Sequence, residues 1–259
     1  MIKTKKIHVS YGKKKIIDSV DIHIKEGTIN TLIGPNGSGK STILKALTQQ
    51  KKIDSGEIFF KQKPIQSLSS MYWAKNVTYL PQNPKAPSDY TVWDLVSLSR
   101  NAYLKWYERL GRKDYEIIEE SIRKTNIQDH KYKLLSELSG GERQRAWIAM
   151  ALAQEPELII LDEPTTFLDI AYQFEVLEIV KELNEKENIT VLMVLHDLNH
   201  AAKYSDNIVL LKAGKVFAEG TPREVMNSEN IRAAFNIEVK VQHDEEHDYP
   251  LIYPIKKAV

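Results

Sequence analysis

The sequence predicts an α/β fold with a mostly parallel sheet, an N-terminal antiparallel β subdomain and a helical insertion. Short alternating or apolar stretches, broken by glycine, occupy residues 1–33 and indicate several strands. The pattern is almost wholly helical over residues 91–153, and strands alternate with helices after residue 154. Such alternation is typical of a parallel sheet flanked by helices.

The chain length indicates how these parts are organised. With 259 residues, of which 42% are hydrophobic and 27% charged, the chain can bury a full core. We expect one domain over residues 1–259. Residues 1–90 and 154–259 are expected to form its core, the antiparallel subdomain and a C-terminal hairpin, and residues 91–153 its helical subdomain.

Composition excludes several classes of function. The 36 basic and 35 acidic residues give a net charge of +1, so there is no overall electrostatic reason to expect a nucleic-acid partner. The absence of cysteine excludes disulfides and thiolate metal sites and fits a reducing compartment. The basic start lacks the apolar core of a secretory signal, and no apolar run reaches about 18 residues. We therefore expect a cytoplasmic chain that does not span a membrane.

The predicted elements follow in order along the chain. Before residue 91 we expect, in turn, three strands, one helix and two further strands: "IHVSY", "SVDIHI", "TINTLI", "TILKALTQQ", "SGEIFF" and "NVTYL". After the helical segment come two strand–helix pairs and then a hairpin that turns at Ala213 and Gly214: "ELIILDE", "AYQFEVLEIVKELNEK", "ITVLMVLHD", "LNHAAKYS" and "NIVLLKAGKVFAEG".

The tail carries two strand-like pieces around an acidic turn. His243 and His247 stand there beside four acidic residues. We interpret this segment as a solvated hairpin tip, and a metal site is the alternative.

A glycine-rich loop carries the strongest functional signal. The stretch "GPNGSGKST" fits G-x-x-x-x-G-K-[ST] and lies between an apolar strand and a helix, which is the context of a phosphate-binding loop. Backbone N–H groups and the helix dipole bind phosphate oxygens there, Lys40 reaches the terminal phosphates, and Ser41 is suited to ligate Mg²⁺. The loop residues are Gly34, Pro35, Asn36, Gly37, Ser38, Gly39, Lys40, Ser41 and Thr42.

Two carboxylates follow the apolar strand "LIIL" at the sheet edge where parallel sheets bind ligands. Asp162 suits Mg²⁺, directly or through water, and Glu163 is placed to position and polarise an attacking water. Taken alone, the pair also fits a plain acidic turn before Pro164. The phosphate-binding loop in the same chain favours the functional interpretation.

Three further residues give weaker signals. His196 and Gln82 each end an apolar strand and are expected near the same edge, although a lone histidine there is more often structural. Tyr11 has a flat face that suits stacking on a base, although an aromatic residue in an early strand usually belongs to the core.

The stretch "LSGGERQRAWIAMALA" begins with a capping box, in which Ser139 and Glu142 satisfy backbone donors at a helix start. Gly140 and Gly141 are costly in a first helical turn, by about 1 kcal/mol each against alanine, unless something must approach the backbone.

Together these residues resemble the nucleotide-binding subunit of an ATP-binding cassette (ABC) transporter, over nearly the whole chain and in the family's order. The resemblance implies a P-loop NTPase core. Gly34 to Thr42 resemble its Walker A loop, Asp162 and Glu163 its Walker B motif, and the stretch from Leu138 to Ala153 its signature.

The resemblance also assigns the weaker signals. Tyr11 matches the adenine-stacking aromatic residue, and Gln82 the Q-loop residue that serves both the metal and the attacking water. Asp169, at the end of "TFLD", matches the D-loop, and His196 the switch histidine.

A dimer follows from the single copy of each motif. In the family, the signature of one subunit covers the ATP that the Walker A loop of another holds, which explains glycines at the helix start. The resemblance therefore implies ATP and Mg²⁺ as cofactors, a second copy of the chain in a head-to-tail dimer, integral membrane permease subunits, and indirectly a substrate-binding lipoprotein. It also implies a location at the cytoplasmic face of the cell membrane.

Within the family, the signature and "TTFLDI" resemble the branch that imports iron(III) siderophores, haem and vitamin B12, and "TTFLDI" favours siderophores. The segment "VSLSRNAYLKW" departs from that branch, which usually has glycine-arginine and a nearby proline there. A soluble ABC ATPase of cluster assembly or regulation is the alternative function. Aromatic residues after Gln82 fit either a permease contact or internal packing, and we expect one or two to be exposed.

Overall fold

The computed structural model describes residues 1–243 and 248–258. Its strands are β1 (Ile2–Tyr11), β2 (Lys14–Val20), β3 (His23–Ile24), β4 (Ile29–Ile33), β5 (Ser55–Phe60), β6 (Lys63–Pro64), β7 (Val77–Leu80), β8 (Leu158–Asp162), β9 (Thr190–Val194), β10 (Asn207–Lys212), β11 (Lys215–Gly220), β12 (Ile237–His243) and β13 (Pro250–Lys257). Its α-helices are α1 (Lys40–Leu47), α2 (Ser70–Asn76), α3 (Val92–Ser97), α4 (Arg112–Lys124), α5 (Gly140–Ala153), α6 (Ile170–Glu187), α7 (Leu198–Tyr204), α8 (Pro222–Val225) and α9 (Ser228–Phe235).

The chain divides into two compact units. The first comprises Met1–Ser67 and Thr190–Val259, and the second comprises Leu68–Ile189. The subdomain bounds expected from the sequence, at residues 90 and 154, mark changes in secondary structure, and they stay a prediction.

The first unit contains a mostly parallel sheet whose strands run in the order β11-β10-β4-β9. Strand β4 is parallel to β9 and β10, and only β11 is antiparallel. All five residues of β4 and of β9 are buried, as expected for strands covered on both faces. A second, antiparallel sheet of β1, β2, β3, β5 and β6 confirms the predicted N-terminal subdomain.

Two hairpins of the first unit were predicted. Strands β10 and β11 turn at Ala213 and Gly214, whose φ angles of 48° and 77° fit the tight hairpin turn with two left-handed residues. Strands β12 and β13 pair from Ile237 to Lys257 and confirm the C-terminal hairpin. Residues 244–247, including His247, lie outside the described residues, so the suggested metal site there stays untested.

The second unit combines the parallel pair β7 and β8 with α2 to α6. Helix α5 packs against α3 and α4, and its apolar residues from Ala146 to Ala153 are mostly buried. This packing confirms a largely helical region between residues 91 and 153.

The segment "TVWDLVSLSRNAYLKWYERL", part of the stretch predicted to be almost wholly helical, contains less regular α-helix than expected. Helix α3 ends at Ser97, and the chain continues in 3₁₀ turns from Leu98 to Tyr103. The hydroxyl groups of Ser97 and Ser99 donate hydrogen bonds to the carbonyl oxygens of Trp93 and Val96, which competes with regular helical bonding.

Arg100 in this turn is buried, with 3% of its surface exposed. Its Nε lies 2.9 Å from Oδ1 of Asp114. Its Nη1 donates to the carbonyl oxygen of Ala153 and to Oε2 of Glu155, both at 2.9 Å. One arginine therefore joins the start of α4 to the end of α5.

Candidate functional site

The loop after β4 has the backbone of an anion site. Gly34, Gly37 and Gly39 have φ angles of 148°, 78° and 107°, which residues with a side chain rarely adopt. A Cβ on Gly34 would lie 2.3 Å from the carbonyl oxygen of Leu211. Conformation therefore favours glycine at all three positions, and at Gly34 the backbone of Leu211 also leaves no space for a side chain.

Polar groups of the loop are placed to receive phosphate. Helix α1 begins at Lys40, and the N–H groups of its first turn have no partners within the helix. Lys40 Nζ is buried and donates to the carbonyl oxygens of Gly34 and Pro35 at 2.7 and 3.2 Å. Ser38 Oγ is buried with no hydrogen-bond partner among the described residues. These donors fit a polyphosphate.

The hairpin turn at Gly214 supports the same loop. Its N–H donates to the carbonyl oxygen of Ser38 at 3.0 Å, and its own carbonyl accepts from the N–H of Asp18 at 2.9 Å. A Cβ on Gly214 would lie 2.1 Å from the carbonyl oxygen of Ile16. Sequence reasoning identified Gly214 as a turn residue but missed its contact with the phosphate-binding loop.

The other candidate site residues of the first unit, His196 and Tyr11, are exposed to solvent. His196 is exposed one residue beyond the buried Leu195, after β9. Because β4 and β9 are parallel, with Leu32 opposite Val194, the loop and His196 leave the sheet at the same edge. Tyr11 at the end of β1 is 45% exposed, and Lys51 Nζ lies 4.7 Å from its ring centroid.

Asp162 is the last residue of β8 and is 7% exposed. Tyr79 of the adjacent β7 donates its hydroxyl to Asp162 Oδ2 at 3.3 Å. Burial, followed by the charge of Asp162, raises the pKa of Tyr79, so its phenol stays protonated and keeps donating. Carboxylate oxygens suit Mg²⁺, and the side chain of Asp162 therefore fits this metal.

Glu163 is held by two side chains. Gln82 Nε2 donates to Glu163 Oε2 at 2.5 Å, and Thr166 Oγ1 donates to the same oxygen at 3.2 Å. Gln82 follows β7 and Glu163 follows β8, and the two strands are parallel, with Leu80 opposite Leu161. The φ angle of 54° at Glu163 is uncommon for a residue with a side chain.

The predicted capping box is present at the start of α5. Ser139 Oγ accepts from the N–H of Glu142, and the Ser139 N–H donates to Glu142 Oε2 at 2.7 Å. These bonds hold the pKa of Glu142 below its ordinary value. Ser139 and Gly140 are exposed, whereas Gly141 is buried.

Asp169 is the exposed N-cap residue of α6, two residues after the exposed Phe167. The predicted site residues thus fall in both units. The first holds Tyr11, the phosphate-binding loop and His196, and the second holds Gln82, the two carboxylates, Asp169 and the start of α5.

The family model that describes the ABC transporter matches residues 17–166, more than half of the chain. This chain belongs to the ABC transporter family. The matched region includes the phosphate-binding loop, Gln82, the start of α5 and both carboxylates.

Similar proteins cover almost the whole ABC chain. The petrobactin import ATP-binding protein FpuC of Bacillus anthracis is 43% identical over 96% of this chain and 92% of its own. The iron(3+)-hydroxamate import ATP-binding protein FhuC of Bacillus subtilis is 42% identical over 96% and 93%. A dimeric post-hydrolysis structure of the ATP-binding cassette MJ0796 bound to ADP and Pi has a TM-score of 0.74 at 28% identity, and covers 85% of this chain and 98% of that one.

Sequence reasoning missed two residues that hold the carboxylates of the site. Tyr79 donates a hydrogen bond to Asp162, and Thr166 donates one to Glu163. Two aromatic residues after Gln82, Trp106 and Tyr107, are exposed, at 95% and 60%, as expected.

No helix of the described residues is long and apolar enough to cross a membrane.

Proposed function

We propose that this chain is the ATP-hydrolysing subunit of an importer for iron(III)-siderophore type substrates. It works as a head-to-tail homodimer beneath two permease subunits, at the cytoplasmic face of the cell membrane, and a substrate-binding lipoprotein delivers the substrate to the permease. The observation that carries the proposal is the similarity, over more than nine tenths of each chain, to import ATP-binding proteins named for petrobactin and iron(3+)-hydroxamate.

The site geometry supports ATP as the ligand. The loop from Gly34 to Thr42 binds the phosphates through its N–H groups, and Lys40 exchanges its contacts with loop carbonyls for the terminal phosphates. Tyr11 stacks on the base. Bound ADP and Pi in the similar dimeric cassette support both the nucleotide and the dimer.

Hydrolysis depends more on the position of the attacking water than on covalent catalysis by the protein. Glu163 accepts a proton from this water as it attacks the terminal phosphate, while Gln82 and Thr166 orient the carboxylate. His196 stabilises the terminal phosphate. Asp162, Ser41 and Gln82 would hold Mg²⁺, which would neutralise charge at the phosphates.

The second half of each site comes from the partner copy. Ser139, Gly140, Gly141 and Asp169 of one chain contact the ATP that the other chain's loop holds. A helix start is suited to this role because its free N–H groups face the anion. Closure of this dimer on ATP drives the permease, and hydrolysis reopens it.

A deletion strain tests the transport function. Cells without this chain, and without a redundant import ATPase, are expected to lose growth on iron(III)-siderophores under iron restriction, and the wild-type gene restores it. The Glu163→Gln gene is expected to fail to restore growth. Unchanged uptake of every siderophore offered would contradict the substrate class, and loss of haem or vitamin B12 uptake instead would reassign it. A defect in cluster assembly with normal uptake would favour a soluble ATPase.

A further inference from the structure

The second glycine at the start of α5, Gly141, lies against an aromatic side chain of its own chain. A Cβ on Gly141 would lie 2.5 Å from Cδ1, 2.7 Å from Cγ and 3.1 Å from Cβ of Tyr172. These atoms form the base of the tyrosine side chain, which cannot turn aside as the far end of a long side chain can. Tyr172 therefore occupies the space that an alanine at position 141 needs.

The neighbouring glycine differs. Gly140 is exposed, and the nearest atom to a Cβ there is Leu168 Cδ2, a terminal methyl group, at 3.3 Å. Neither glycine is among the residues with positive φ, so the helical backbone accepts alanine at both positions. Space, and not conformation, requires glycine at position 141.

The contact belongs to a continuous seam between α5 and α6. Arg145, one turn beyond Gly141 on α5, pairs through Nη1 with Oε2 of Glu175, one turn beyond Tyr172 on α6. Only 14% of the Arg145 side chain is exposed. The seam therefore holds the first two turns of α5 against the first two turns of α6.

We propose that Tyr172 is a positioning residue that seats the start of α5 and thereby imposes glycine at position 141. Its consequence for catalysis rests on the proposed function, in which the start of α5 contacts ATP held by the partner chain. A shift of α5 then lowers the rate of hydrolysis, because a misplacement of about 1 Å lowers a reaction rate by up to about a hundredfold. Affinity for ADP, which the loop from Gly34 to Thr42 binds, stays unchanged.

A double-mutant cycle in the purified chain without nucleotide tests whether Tyr172 positions the start of α5. Gly141→Ala in the wild-type background is expected to lower Tm by about 3–8 °C, because it overpacks the seam. In the Tyr172→Ala background the same substitution is expected to raise Tm, because alanine fills vacated space and favours the helix. Gly140→Ala is the matched control, with a Tm within about 2 °C of wild type. An effect of Gly141→Ala with the same sign in both backgrounds would overturn the proposal.

ATP hydrolysis tests the consequence. Gly141→Ala is expected to lower kcat about tenfold or more at unchanged ADP affinity. The double variant Gly141→Ala, Tyr172→Ala is expected to return to within about threefold of Tyr172→Ala. Tyr172→Phe keeps the contacting atoms Cβ, Cγ and Cδ1 and is expected to stay within about twofold of wild type.

The two proposals fail separately. A double variant that regains Tm but stays as inactive as Gly141→Ala shows that a ligand, and not Tyr172, requires the glycine for catalysis, which overturns the positioning role. A wild-type chain that hydrolyses no ATP contradicts the proposed function, while the Tm cycle still decides whether Tyr172 seats α5.

Discussion

Gln82 Nε2 donates a hydrogen bond of 2.5 Å to Oε2 of Glu163, and this bond joins the segments that follow two neighbouring parallel strands. Thr166 Oγ1 donates to the same oxygen at 3.2 Å. Two donors on one carboxylate oxygen fix the orientation of the glutamate. The arrangement suits a residue that must accept a proton in a defined direction.

Glu163→Gln is therefore expected to separate binding from hydrolysis. Without a carboxylate the water keeps its proton, and kcat is expected to fall by about a hundredfold or more. Affinity for ATP is expected to be retained, so that ATP traps a dimer. Steady-state hydrolysis and size-exclusion chromatography with ATP and Mg²⁺ measure the two effects.

Glu182→Gln is the matched control for this substitution, since Glu182 lies on the exposed face of α6 and pairs only locally with Lys186. It is expected to hydrolyse ATP at the wild-type rate. Wild-type hydrolysis by Glu163→Gln would instead exclude Glu163 as the proton acceptor.

Asp162→Asn is expected to weaken the binding of Mg²⁺ with ATP. Loss of the charge weakens a ligand for Mg²⁺, and ATP affinity in the presence of Mg²⁺ is expected to fall about tenfold or more. With EDTA the variant and the wild type are expected to bind ATP equally. Calorimetric titrations under both conditions decide, and an equal loss with EDTA argues against metal binding at Asp162.

Tyr79→Phe provides a finer comparison at the same carboxylate. It removes the hydroxyl that donates to Asp162 Oδ2 and keeps the ring. We expect a change in Mg²⁺-dependent ATP affinity of less than about threefold, because at 3.3 Å this bond is longer than an ordinary O–H···O hydrogen bond and is therefore weak.

Shared sites predict complementation between two inactive variants. Lys40→Ala damages the phosphate-binding loop, and Ser139→Arg places a bulky side chain at the helix start that meets phosphate. Each homodimer then lacks both sites. A mixture forms heterodimers with one doubly damaged and one intact site, so ATPase activity is expected to rise above that of either variant.

Tagged pull-down shows whether the heterodimers form in this mixture. Heterodimers without any recovery would mean that one intact site does not act alone. Full activity of Ser139→Arg by itself would remove the start of α5 from the site.

The buried pair of Arg100 and Asp114 predicts a contribution to stability. Their side chains are only 4% and 14% exposed, so Asp114→Asn is expected to lower the free energy of unfolding by about 1–3 kcal/mol. The exposed pair of Arg112 and Glu116 offers the control Glu116→Gln, with an expected change of less than about 0.5 kcal/mol. Urea unfolding of both variants measures the difference.

This contribution depends on pH in a defined direction. Burial raises the pKa of Asp114, but the N–H of Gly111 and the guanidinium of Arg100 outweigh it and hold the pKa below its ordinary value of 3.8. The stabilisation is therefore complete above pH 3.8 and is lost as the pH falls through the lower pKa of the folded state. The difference between wild type and Asp114→Asn is expected to shrink below pH 3.8.

Local patterns were sufficient to predict much of the fold. Strands β4 and β9 are buried on both faces, so each could be predicted from a run of apolar residues. The Ala213–Gly214 turn follows from local backbone conformation. The phosphate-binding loop and the capping box at Ser139 were predictable for the same reason, since each is a short contiguous segment.

Contacts between distant segments were not predictable from the sequence. Arg100 is buried against partners that lie 14 and 55 residues away along the chain, which a helical pattern does not reveal. Gly141 was attributed to a ligand, and its close contact with Tyr172 on another helix was not foreseen. Tyr79 likewise contacts Asp162, 83 residues further along the chain, which only folding brings near.

The turn at Gly214 has a consequence for protein engineering. Surface hairpin turns usually tolerate inserted affinity tags, fluorescent reporters or new chain termini, and a sequence-based design would select this one. Here the turn is bonded on one side to Ser38 and on the other to Asp18. An insertion at positions 213–214 would therefore disturb the phosphate-binding loop, and a reporter placed there would inactivate the protein that it was meant to follow.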